Sequence, residues 1–157
     1  MDDLLLLSRL DSHALKLQRT PLPAGELLAD MQRQVGRLAA EHQVRLSVGA
    51  AAGTVLGDPA RLRQVLLILL DNALRHTPAG GQVTLEAAPA GRTVEITVAD
   101  TGAGIAPEHL PHVFDRFYRA DPARGGDGTG LGLAIARALV TAQGGHIRID
   151  SQPGVGT

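Results

Sequence analysis

Gln82–Gly104 reads QVTLEAAPAGRTVEITVADTGAG, and this stretch decides the fold. Two alternating runs, Gln82–Ala88 and Arg92–Ala99, flank Pro89-Ala-Gly-Arg92, the pattern of a β-hairpin. Val94, Ile96 and Val98 fall on one face and Glu95 and Thr97 on the other, which predicts one buried and one solvated sheet face. Residues 101–129 follow as a long, polar, Gly-rich passage with one short helix near Pro107–Phe114. A loop of that length inside a compact domain is usually a functional lid.

On the N-terminal side of the hairpin, Asp58-Pro59 offers an N-cap and a proline at the first helical position, opening a helix that runs to His76. A helix over Ala24–His42 carries Leu28, Met31, Val35 and Leu38 on one face, and Val44, Leu46 and Val48 alternate as a strand. Residues 2–19 read as one helix, striped by Leu6, Leu10, Ala14 and Leu17 and broken by Thr20-Pro-Leu-Pro. That stripe needs a partner surface. On the C-terminal side come a helix, Leu131–Gln143, and a strand, His146–Asp150. The order predicts an α/β fold, a two-layer sandwich with a mixed sheet and helices on one face, preceded by a helix fragment.

The 157 residues suit one domain, and 44% hydrophobic against 20% charged residues is a globular balance. A net charge of −1 provides no global field toward nucleic acid, so none is expected as a partner and any anion site must be local. The absence of cysteine removes disulfides, thiolate zinc sites and thiol nucleophiles together. Six histidines remain; His109 and His112 are three apart, but no further ligand-type cluster joins them, and solvated loop histidines are the default reading. No window approaches the roughly 18 apolar residues of a membrane span, and Met-Asp-Asp lacks the basic start of a signal peptide. Both ends read as cut from a longer chain, which is compatible with a membrane-anchored parent. The only aromatics, Phe114, Phe117 and Tyr118, lie within five residues, so the core must be aliphatic and the cluster must serve one segment.

Two glycine passages bracket the long loop: Asp100-Thr-Gly-Ala-Gly104 and Gly126-Asp-Gly-Thr-Gly-Leu-Gly132. Glycines at this spacing let backbone N–H groups approach a phosphate, and the second set runs into a helix N-terminus, where the dipole favours an anion. Taken alone, such a passage also suits a plain flexible loop. The sole lysine is Lys16, which excludes a Gly-x-x-x-x-Gly-Lys P-loop, and Gly128–Gly132 follows a polar loop rather than the strand a Rossmann fingerprint requires. Asp100 ends a strand; neighbouring backbone donors could satisfy it, or it could accept an exocyclic amino group such as that of adenine. Asn72 lies near the apolar side of its helix, four residues after Ile68. Its amide suits either a structural hydrogen bond or a magnesium ion that bridges phosphates.

In this order the residues resemble a known family. Asn72, Asp100–Gly104, Phe114-Asp-Arg-Phe117-Tyr and Gly128–Gly132 match the N, G1, F and G2 boxes of sensor histidine kinases, over residues 58–150. The resemblance implies a Bergerat-type ATP-binding fold, shared with gyrase, heat-shock chaperones and mismatch-repair ATPases. It implies Asn72 on magnesium, Asp100 on the adenine amino group, Gly102 and Gly104 shaping the base pocket, and Gly128, Gly130 and Gly132 hinging a lid and presenting N–H groups to phosphates. Arg75, His76 and Arg119 match positions near phosphate, base and γ-phosphate, though each also suits a solvated surface. Ile105, Phe117, Tyr118, Thr129, Leu131 and Leu133 complete the implied ATP-binding set, with Asn72 and Arg119 the catalytic pair.

By the same resemblance residues 1–19 end the second helix of a dimerisation and phosphoacceptor domain, and residues 20–157 are the catalytic domain, cut before its last strand. The implied partners are that histidine-containing domain and a response regulator receiver domain, and the implied location is cytoplasmic, including the cytoplasmic portion of an inner-membrane protein. There are two departures from the family pattern. Ile68 stands where the family usually has another asparagine, and where related ATPases carry a water-activating glutamate, which argues against efficient hydrolysis. No His-Glu-x-x-Thr-Pro type acceptor motif is present; His13 is followed by Ala-Leu-Lys. A nucleotide-binding module without transfer activity therefore stays as an alternative, and a chaperone- or topoisomerase-like ATPase as a further one.

Overall fold

The computed structural model describes residues 2–120 and 129–157. Asp2 caps α1 (Asp3–Asp11) by accepting from the Leu4 N–H at 3.0 Å. The leucine-rich stretch, expected to stay helical to Arg19, ends at Asp11. His13 takes φ 56°, and its N–H and that of Ala14 turn back to the carbonyls of Leu10 and Arg9, a Schellman ending built without glycine. Beyond it the chain is drawn along the start of the third helix, where the Gln18 N–H donates to Asp58 Oδ2 at 3.0 Å. Thr20-Pro-Leu-Pro, expected to break α1, lies well beyond its end: β1 (Thr20–Pro23) pairs antiparallel with β3 (Thr54–Gly57), a short two-stranded ribbon in which prolines are tolerated.

Between these strands lie α2 (Ala24–Glu41) and β2 (Arg45–Ala51). The apolar stripe of α2 buries Leu27, Leu28, Met31 and Val35. Asp58 then caps α3 (Pro59–His76), accepting from the Arg61 N–H at 3.2 Å, and α3 buries Val65, Leu66, Leu70 and Leu74. The hairpin forms as read, with β4 (Gln82–Ala90) and β5 (Thr93–Asp100) joined by Gly91-Arg92 and Gly91 at φ 65°. The sheet order is β2-β4-β5, parallel then antiparallel, so it is mixed.

Val83, Leu85 and Ala87 of β4 and the half-buried Val94, Ile96 and Val98 of β5 face α2 and α3 in one apolar core. A second core lies on the other side of α3, where Leu6, Leu7 and Leu10 of α1 and Val65 of α3 meet Leu131, Ile135 and Leu139, the last two on α4 (Gly132–Ala142). Both cores are aliphatic. Burying a leucine fully contributes about 1.5–3 kcal/mol, so the three α1 leucines tie the N-terminal helix firmly to α4.

Two expected elements differ. The helix near Pro107–Phe114 shrinks to a 3-10 turn, Leu110–His112, because Pro111 lacks the N–H that an α-helix would use. His146–Asp150 alternates like a strand but pairs with no strand among the described residues. The free edge of β5 instead meets Thr157, whose carbonyl accepts from the Asp100 N–H at 2.8 Å, and Gln152 and Gly156 close a tight turn. No helix among the described residues is long and apolar enough to cross a membrane.

Candidate functional site

Passages distant in sequence converge on the C-terminal half of α3. Asp100, half-buried at the end of β5 opposite Val83, accepts at Oδ1 from the Gly102 N–H at 2.9 Å and the Thr157 N–H at 3.3 Å. Gly102 is buried against the end of α3: a β-carbon there would stand 2.3 Å from the His76 carbonyl oxygen, so glycine alone lets the chain cross. Gly104, at φ 75°, passes equally close to the Gln152 carbonyl. Ile105 is half-buried and donates its N–H to Ser151 Oγ at 2.7 Å.

On α3 itself Asn72 is half-buried, and its side-chain amide has no hydrogen-bond partner among the described residues. Arg75 is exposed and paired with Asp71 one turn back, at 2.8 Å, while His76 is exposed at the helix end. The start of α4 abuts this face. Gly132 opens the helix where a β-carbon would lie 3.3 Å from Ile68 Cγ2, one turn before Asn72. Leu131 is buried, Leu133 is half-buried, and Thr129 Oγ1 accepts from the Leu131 N–H at 3.4 Å. Gly130, at φ 76°, lies against the Phe117 backbone and accepts its N–H at 3.0 Å. Gly128 lies outside the described residues.

The aromatic segment divides its labour. Phe114 is half-buried with the Arg137 guanidinium 5.3 Å from its ring centroid, a cation–π contact to α4. Phe117 is 61% exposed at φ 65°, so it is no core residue. The Tyr118 hydroxyl is hydrogen-bonded to His109 Nδ1, its ring lies 5.4 Å from that of His112, and His112 meets Asp115 at 3.1 Å. Arg119 is half-buried. Arg116 reaches both carboxylate oxygens of Asp11 at 2.8 Å, fastening the segment to the end of α1.

Chemically, Asp100 is a fixed acceptor for an amino donor, and the free N–H groups at the start of α4 suit an anion. Among the described residues no group of three or more histidine and acidic side chains could hold a metal ion. The Asn72 amide could offer one oxygen to a divalent cation, with no such group beside it among the described residues. Sequence reasoning missed the Ser151–Thr157 turn that holds Asp100, and the Asp11–Arg116 pair. The spacing of Gly154 and Gly156 was the available signal for the first, since both take positive φ.

Comparison with known proteins identifies the family and agrees with the fold. The family described as Histidine kinase-, DNA gyrase B-, and HSP90-like ATPase matches residues 57–157. Sensor histidine kinase CusS of Escherichia coli K12 is 37% identical over 153 residues, covering 96% of this chain and 32% of CusS. The crystal structure of full-length ShkA in complex with AMPPNP superposes with a TM-score of 0.85 at 34% identity, over 98% of this chain and 32% of that one. The histidine kinase AdeS of Acinetobacter baumannii gives 0.80 at 25% identity, over 98% and 71%. The chain thus spans about a third of the length of the curated relatives it matches.

Proposed function

Because the chain belongs to the histidine kinase-, DNA gyrase B- and HSP90-like ATPase family, we propose that it binds ATP with magnesium and donates the γ-phosphoryl group to a histidine on an adjacent dimerisation domain of the same protein. The phosphohistidine would then serve a response regulator receiver domain, and the whole would act as a protein-histidine kinase in two-component signalling in the cytoplasm. The observation that carries this reading is the convergence of the Asp100–Gly104 passage and the Gly130–Gly132 helix start on Asn72's end of α3.

In this reading Asp100 accepts from the adenine amino group, Gly102 and Gly104 let the backbone flank the base, and the first N–H groups of α4 receive phosphate oxygens. Asn72 would hold magnesium, which supplies charge neutralisation between the phosphates when bound. Arg119 would stand near the γ-phosphate, and Arg75 and His76 would exchange their surface environment for phosphate and base. Residues 20–157 form the ATP-binding unit, and residues 1–19 belong to the neighbouring helical domain, docked here through α1.

Calorimetric titration with a non-hydrolysable ATP analogue and magnesium should show saturable binding; no binding at millimolar nucleotide overturns the reading. Label from the γ-phosphate of ATP should appear on a histidine of a supplied helical-hairpin acceptor domain. Ile68 favours a second reading, a nucleotide-binding regulator without transfer, which expects binding but no labelled histidine in the full-length parent.

A further inference from the structure

The Asp100 carboxylate owes part of its orientation to a turn far along the chain, which the Gln152 and Gly156 backbones close and one hydroxyl joins to the Asp100–Ile105 passage. Ser151 Oγ accepts the Ile105 N–H at 2.7 Å, lies 3.0 Å from the Gly156 carbonyl and 2.7 Å from Thr157 Oγ1. A serine hydroxyl has one donor and two acceptor sites. Donating to Gly156 and accepting from Ile105 and Thr157 uses all of them. Ile105 is one end of the Asp100–Ile105 passage. Thr157 grips the other end, with its N–H on Asp100 Oδ1 at 3.3 Å and its carbonyl on the Asp100 N–H at 2.8 Å. The intervening Gly154 N–H donates to the Ala103 carbonyl at 2.7 Å. Gly156 presses so close to the Asp100 carbonyl that a β-carbon would stand 1.9 Å away. Every contact between the passage and the turn thus lies between two points that meet at Ser151.

We propose that Ser151 is a positioning residue for base recognition: its hydroxyl ties Ile105 to Thr157, whose N–H helps fix Asp100 Oδ1, leaving Oδ2 as the acceptor that selects a purine bearing an amino group. This rests on the nucleotide-binding reading above. Without the hydroxyl, Ile105 and Thr157 lose their common anchor, and the carboxylate can rotate away from its single orientation. With its donor and acceptor sites taken up by Ile105, Gly156 and Thr157, Ser151 acts through Asp100, so its loss should act on discrimination between bases.

The test compares dissociation constants for ATP and for inosine triphosphate, which carries an oxygen in place of the adenine amino group, with the chain and its Ser151→Ala variant. The variant should bind ATP about five- to tenfold more weakly, with inosine triphosphate little changed, so that the ratio of the two constants collapses. Should Ser151→Ala fail to fold by circular dichroism, Ser151→Cys keeps the volume but offers only a weak acceptor, and is expected to narrow the ratio in the same way. An unchanged ratio, whether both affinities are retained or both fall together, overturns the proposal. Failure of the unsubstituted chain to bind either nucleotide refutes the nucleotide reading instead.

Discussion

Ile68 of α3 packs against Gly132 at the first position of α4, where a β-carbon on Gly132 would come within 3.3 Å of Ile68 Cγ2. The isoleucine that departs from the family pattern therefore has a structural occupation: it belongs to the apolar cluster joining α1, α3 and α4. Ile68→Asn should lower stability by roughly 1–3 kcal/mol, since it places an amide in that cluster. It should also raise the dependence of nucleotide binding on magnesium, by adding an oxygen one turn before Asn72. Thermal melting and titrations with and without chelator read the two effects separately.

Gly102 and Gly36 should respond oppositely to alanine. At Gly102 the new methyl meets a backbone carbonyl, which cannot swing aside, so a loss of about 1–3 kcal/mol is expected, together with weakened nucleotide binding. At Gly36, inside α2, the space is open, and alanine should stabilise the protein by about 0.5–1 kcal/mol. Chemical denaturation of the two variants measures both signs.

Asp58 links acid sensitivity to the α3 cap. Its carboxyl is held below its ordinary value of 3.8, chiefly by the Gln18 N–H and further by the Arg61 N–H. A depressed folded-state value means that the stabilisation is complete above the unfolded value and is lost as pH falls below about 4 and through the folded one. Asp58→Asn can still cap but cannot titrate, so its melting temperature should fall less steeply on acidification below about pH 4. Asp58→Ala should cost about 1 kcal/mol at neutral pH.

Leu7, 1% exposed, probes the docking of α1. Leu7→Ala should cost about 2–5 kcal/mol while unfolding remains a single transition. A separate early transition, or no loss, would mean that α1 does not share the stability of the rest. Weakening the solvent-exposed Asp11–Arg116 pair by salt should change stability by less than about 1 kcal/mol.

Local chemistry made much of this architecture legible. The hairpin showed in the alternation of Val94, Ile96 and Val98, α3 in Asp58-Pro59 and its apolar rows, and the glycine passages in their spacing. What escaped depends on partners remote in sequence or on conformations without a marked residue. The end of α1 turns on His13 at positive φ, where no glycine signals it. β3 is four residues long and is defined by its pairing with β1. The alternation of His146–Asp150 is the pattern of a strand, yet it forms no strand pairing among the described residues. The hold of the Thr157 backbone on Asp100 and of the Ser151 hydroxyl on Ile105 joins residues too far apart in sequence for local patterning to reveal it.

The grip of Thr157 on Asp100 also sets an order of events during synthesis. A ribosome makes Asp100 57 residues before the residue that fixes its carboxylate. The hairpin, α3 and the sheet can assemble on the emerging chain, but that carboxylate lacks its Thr157 donor until Thr157 is free to reach it. The orientation of that carboxylate is thus acquired after the sheet that carries it.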